Sequence, residues 1–182
     1  MLITRPHPAL ALLVIFLLAL AAVDLLRHRI PNRITVPAAL LAVLLNALAA
    51  GGVGALHSLE GLLVGLATFM PLFVTGGFSA GDVKAMAAVG AFLGPTGALL
   101  AALCSLMAGM FGGLLILLSA TGTEAVRAMF RRWTFRAYVL CATGTRAHIH
   151  PAPDDAAMRR FPFGAAIACG TIVFLIWNAY HG

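Results

Sequence analysis

Asp24 and Asp82 are the residues of this sequence whose type and setting could do chemistry. Asp24 interrupts the apolar run Leu20-Ala-Ala-Val-Asp-Leu-Leu26, and Asp82 stands in Gly76-Gly-Phe-Ser-Ala-Gly-Asp-Val-Lys84. Two carboxylates held together in a low-dielectric site repel, so their titration splits and one proton is shared between them at a suitable pH. One then acts as base on a water while the other hydrogen-bonds a scissile carbonyl, the chemistry of aspartic proteases. Taken singly, each has a plainer explanation: Asp82 caps a helix, and Asp24 partners Arg27 or His28 at an interface. Convergence at one depth, in a chain with 6 acids, is what points beyond those roles. Helix-end electrostatics favours the charged form at Asp82, near a helix N-terminus, and the protonated form at Asp24, near the end of the first helix.

The elements that must hold these two residues are set by composition. Of 182 residues, 12 are basic and 6 acidic, 10% charged in all, where a soluble domain carries about a quarter. With 62% hydrophobic residues and a mean hydropathy of +1.00, the polar surface does not suffice to cover a water-soluble globule. A soluble enzyme, a DNA-binding domain and a disordered tail are excluded. The net charge of +6 implies no nucleic-acid partner, because there is no soluble module to carry a basic face.

Charge-free stretches mark the membrane spans. They are Pro6 to Val23, Ile34 to Leu59, Gly61 to Gly81, Ala85 to Thr123 and Phe161 to Gly182. The fourth would be roughly 58 Å of straight helix, and Gly94-Pro95-Thr96-Gly97 breaks it. It reads as a short helix, Val83 to Leu93, followed by a full span, Ala98 to Ser119. The expected fold is all-α, one membrane-embedded domain over residues 1–182 with about six transmembrane or membrane-embedded helices. A loop over Gly51 to Ser58 and the Gly94 turn share the outer face, where Glu60 opens the third helix.

Orientation follows from Lys and Arg, which are retained in the cytoplasm. Arg27, Arg29, Arg33, Lys84, Arg127, Arg131, Arg132, Arg136, Arg146, Arg159 and Arg160 fall on one side and Arg5 on the other. Both termini therefore face outward, and the loops with Asp24 and Asp82 face the cytoplasm. A cleavable signal peptide over residues 1–22, ending at Ala19-Leu20-Ala21, is the competing reading of the N-terminus; the charge bias opposes it. Within residues 120–160, Arg127, Arg131, Arg132 and Arg136 alternate with Val126, Met129, Phe130, Trp133 and Ala137. This is the pattern of a basic amphipathic helix on anionic head groups of the inner surface.

Cys104, Cys141 and Cys169 are too far apart for a disulfide framework or a CxxC metal pair, so they read as packing residues. Arg29-Ile-Pro-Asn-Arg33 forms a turn, with Pro31 disfavouring helix at Ile30 and Asn32 suiting the turn. Phe161-Pro-Phe-Gly164 starts the last helix with Pro162 and Gly164 where backbone can come close.

In this order the residues resemble a prepilin peptidase, the membrane aspartic protease that processes type IV pilin-like precursors in bacteria. Asp24 with Arg29-Ile-Pro-Asn32 is similar to that family's first catalytic segment, and Ala80-Gly-Asp-Val-Lys84 to its GxGD-type second segment. Phe161-Pro-Phe-Gly-Ala-Ala-Ile-Ala168 resembles the start of its last helix. Ser79 stands where the GxGD pattern has its first Gly. The long members carry a soluble insert with paired CxxC motifs, and this chain has none, so it resembles the short form associated with Flp (tight-adherence) pili.

The resemblance implies an enzyme that cuts a prepilin leader after a Gly at the cytoplasmic face of the inner membrane. It implies Asp24 and Asp82 as the catalytic pair, Gly81 shaping the second loop, Lys84 orienting it, and Pro31, Asn32, Pro162 and Gly164 in support. No metal and no cofactor are implied. The long enzymes also methylate the new pilin N-terminus from S-adenosylmethionine; here Gly51-Gly-Val-Gly54 lacks the strand-turn-helix setting of a nucleotide loop. The main rival is a small proton-coupled transporter, which would need acids in mid-membrane. A non-catalytic assembly subunit would leave both aspartates dispensable.

Overall fold

The computed structural model describes residues 8–27, 29–75, 77–143 and 162–181. Among them the chain forms four helices and no strand: α1 Pro8–Arg27, α2 Asn32–Val74, α3 Ala80–Thr143 and α4 Phe163–His181. All four contain a stretch long and apolar enough to cross a membrane. Their spanning stretches carry apolar residues on buried and exposed faces alike. In α1, Leu13, Leu17 and Leu20 are buried while Ile15, Leu18 and Leu25 are exposed, the distribution of a helix whose outer solvent is lipid.

A straight helix of the length of α2 would run to about 64 Å, twice the hydrocarbon thickness, and α2 breaks at Ala50 (φ −137°) and Gly51 (φ 62°). Gly51 adopts a backbone conformation open to glycine and costly for other residues. In α3 the corresponding break is Gly94, φ 76°. At both points the chain folds back. Asn46 Nδ2 and Ser58 Oγ donate to the same acceptor, Ala91 O, at 3.1 and 2.6 Å, although along a straight helix they would stand about 18 Å apart. A Cβ on Gly90 would lie 3.1 Å from that of Ala98, where a straight helix would separate the two by about 12 Å.

The shared acceptor has a covalent origin. In an α-helix the carbonyl of residue 91 receives its bond from the N–H of residue 95, which is proline and has none. Asn46 and Ser58 supply the missing donors from α2. Nearby, the two helices approach until a Cβ on Gly61 or on Gly90 would strike the other's backbone carbonyl. Van der Waals contact between bare backbones of this kind drives association where lipid removes the hydrophobic advantage.

The six expected segments are thus four helices here, two of them turned back at a glycine. The expected loop over Gly51 to Ser58 is helical instead, because Ala50 and Gly51 complete the turn. Glu60 consequently lies inside α2, exposed, and does not open a helix. The first part of α3 starts at Ala80, earlier than Val83, because Ser79 caps it. The backbone of α3 runs on to Thr143 with Arg131, Phe135 and Tyr138 exposed; residues 144–160 of the expected basic segment, and most of its side chains before that, lie outside the described residues. Cys104 is half-buried and Cys169 exposed, both free.

Leu13, Phe16, Leu17 and Leu20 of α1 enter one core with Met86 of α3 and Ile167 of α4. α2 and α4 pack mainly on α3, and α1 mainly on α4. This arrangement gathers the C-terminal end of α1 with the N-terminal ends of α3 and α4.

Candidate active site

Asp24 lies in the last turn of α1 and Asp82 in the first turn of α3. Both are 5% exposed. A buried carboxylate without a partner is costly, and a hydrogen bond to a charged group returns about 1.5–3 kcal/mol.

Asp82 Oδ2 accepts from the Ser79 N–H at 2.9 Å and from the Ser79 hydroxyl at 2.8 Å. In return the Asp82 N–H donates to Ser79 O at 3.1 Å and to Ser79 Oγ at 3.3 Å. This reciprocal arrangement is a capping box, which satisfies first-turn donors of α3. The plain role weighed for Asp82, a helix cap, is thus real. It engages Oδ2.

Asp24 Oδ2 accepts the backbone N–H of Gly164 at 2.6 Å. Gly164 is in the first turn of α4, where N–H groups have no partner within their own helix, and Asp24 supplies one from α1. A Cβ on residue 164 would lie 2.8 Å from Oδ2 and 2.9 Å from Cγ of Asp24, so only glycine admits the carboxylate so close. Asp24 ends α1, but like Asp82 it also meets a helix N-terminus.

The segments that hold the two acids meet. The residues beside their donors touch: Phe78, next to Ser79, meets Phe163, next to Gly164, edge to face with ring centroids 4.1 Å apart. Phe69 of α2 stands against both rings, at 5.3 Å from Phe78 and 6.0 Å from Phe163.

The α1–α2 turn closes the site from another side. A Cβ on Gly81 would come 3.0 Å from Cβ of Ile30, so Gly81 permits the turn to reach α3. Lys84 Nζ donates to Asn32 Oδ1 at 3.0 Å. Pro31, extended at φ −76° and ψ 142°, precedes α2 and accepts the Ile34 N–H at 3.1 Å. Pro162 accepts the Ala165 N–H at 3.2 Å at the start of α4. Ile30, Phe78 and Phe163 have apolar side chains that carry no chemical signal in the sequence, and Ser79 stands out there only as a departure from the GxGD pattern. The Ser-x-x-Asp spacing of a capping box was the available clue.

A family model for the type IV leader peptidase family matches residues 11–122, more than half of the chain. The chain belongs to the type IV leader peptidase family. Comparison with curated proteins and with solved structures returns no match. The matched region of this leader peptidase family member contains Asp24, Asp82 and the turn between α1 and α2. Gly164 and Phe163 lie beyond it, and their part in the site comes from the fold.

Proposed function

We propose that the chain is an aspartic endopeptidase that removes the leader of Flp-like type IV prepilins at the cytoplasmic face of the inner membrane, with Asp24 and Asp82 as its catalytic pair. The observation that carries this reading is that two buried carboxylates at helix ends, each held through Oδ2, stand on segments joined by the packed rings of Phe78 and Phe163. Among the described residues no hydrogen bond engages Oδ1 of either, and in this reading Oδ1 serves water and substrate.

In the proposed reaction, one carboxylate takes a proton from water as the water oxygen bonds to the scissile carbonyl carbon. The other, protonated, hydrogen-bonds the carbonyl oxygen as negative charge develops on it. Collapse of the tetrahedral intermediate breaks the C–N bond, and the leaving nitrogen takes the proton gained from water. Since a helix hides its carbonyls, the peptide must be extended at the cut, which a site at helix ends accommodates more readily than one in mid-bilayer.

Gly81, Pro31, Asn32, Lys84, Pro162 and Gly164 support the two segments. The turns at Gly51 and Gly94 favour six crossing segments with both termini outside, and the 120–160 segment lies on anionic head groups. The position of both aspartates at helix ends argues against a mid-membrane proton relay. The test is to incubate the purified full-length protein with a prepilin and weigh the products. A leader ending in Gly supports the proposal; intact prepilin, with Asp24- and Asp82-dependent proton flux in proteoliposomes, overturns it.

A further inference from the structure

Phe163 is neither acidic nor nucleophilic, yet it packs against α2, α3 and the segment that leads into α3. Its ring meets Phe78 at an interplanar angle of 89° and Phe69 at 60°. On its other side, a Cβ placed on Gly109 would strike Cε2 of the ring and lie 2.8 Å from Cζ. Gly109 is therefore a seat in α3, sized for this ring. Along the chain, Phe163 precedes the residue whose N–H holds Asp24, and Phe78 precedes the residue whose N–H and hydroxyl hold Asp82.

We infer that Phe163, seated in the space left by Gly109 and locked edge to face on Phe78, is a positioning residue that sets the separation of Asp24 and Asp82 by joining their two hydrogen-bond donors. The inference rests on the two-aspartate reading above. Its physical basis is rigidity: an edge-to-face aromatic pair is favourable beyond its buried area. Interdigitated rings have few alternative arrangements. Each aspartate is held by a donor one residue from its ring, so a shift of the ring passes to the carboxylate with little attenuation. Displacements of about 1 Å in a catalytic pair cost on the order of 100-fold in rate. Neither ring has to touch substrate for this effect.

The experiment measures kcat and KM for leader removal by the purified full-length protein, with helicity and monodispersity as checks on folding. Phe163→Leu removes the ring edge, and Gly109→Ala pushes the ring from its seat without altering any residue that touches an aspartate. Each is expected to lower kcat by about 10- to 100-fold, with KM within about twofold of wild type. Because leucine vacates the space that the alanine methyl needs, Phe163→Leu/Gly109→Ala is expected to be no slower than Phe163→Leu, a strong departure from additivity. Wild-type kcat in both single variants overturns the inference, as does a loss confined to KM, additive losses in the double variant, or loss of folding in both. Asp24→Asn, assayed alongside, separates the two ideas: if it cleaves normally, the two-aspartate reading fails whatever Phe163 does.

Discussion

The backbone N–H of Gly164 reaches Asp24 Oδ2 at 2.6 Å, joining residues 140 positions apart. It ties the end of the first helix to the start of the last. A methyl group at residue 164 would fall 2.9 Å from Cγ of Asp24 and displace the carboxylate. Gly164→Ala is therefore expected to reduce leader removal by about 100-fold while the protein stays helical and membrane-bound, as measured by cleavage in membranes and by circular dichroism.

Ser79 offers a test of the other carboxylate. Its hydroxyl and its N–H both donate to Asp82 Oδ2, and substitution removes only the hydroxyl. Ser79→Ala and Ser79→Gly are both expected to slow cleavage, by about tenfold, in line with one lost hydrogen bond to a charged group. The glycine variant restores the first residue of the GxGD pattern, so faster cleavage by Ser79→Gly than by wild type would show that backbone freedom matters more there than the hydroxyl.

The crossing of α2 and α3 is held by a carbonyl that Pro95 leaves without its helical donor. Ser58→Ala removes the 2.6 Å bond to Ala91 O and, with Asn46 still donating to that carbonyl, is expected to destabilise the protein by about 0.5–1.5 kcal/mol. In a Pro95→Ala background, where residue 95 regains an N–H, the cost of Ser58→Ala is expected to shrink. Equal losses in the two backgrounds, measured by thermal denaturation in detergent, would refute the compensation.

Lys84 is exposed, and its bond to Asn32 at 3.0 Å links the α1–α2 turn to α3. Lys84→Met removes the donor, and the expected effect is modest: about 1 kcal/mol or less in stability and a few-fold in cleavage. Because Asn32 is neutral, raising the salt concentration is expected to leave the difference between Lys84→Met and wild type unchanged.

Much of this site is legible from residue order. Asp24 and Asp82 stand out because acids are scarce and each interrupts an apolar stretch, and the breakers at Gly51 and Gly94-Pro95 mark real turns. The length of the first turn is less visible. A glycine with positive φ turns the chain within two residues, so helix resumes at Gly52 and Glu60 ends up inside it. Long-range partners are hidden as well. Nothing in local pattern pairs Gly164 with Asp24 or Phe163 with Phe78, because those contacts depend on how α1, α3 and α4 meet. Gly61 and Gly90 illustrate the same limit: in a chain with 19 glycines, spacing alone does not mark which of them touch.

Whether Asp24 and Asp82 act as a pair is probed most directly by asparagine, which keeps the size and removes the ionisable carboxylate. The measurement is leader removal from a co-expressed prepilin by wild type, Asp24→Asn and Asp82→Asn, all present in the membrane at equal amounts. Processed pilin is expected with wild type and only the precursor with each variant. Normal processing by either variant would contradict that pairing.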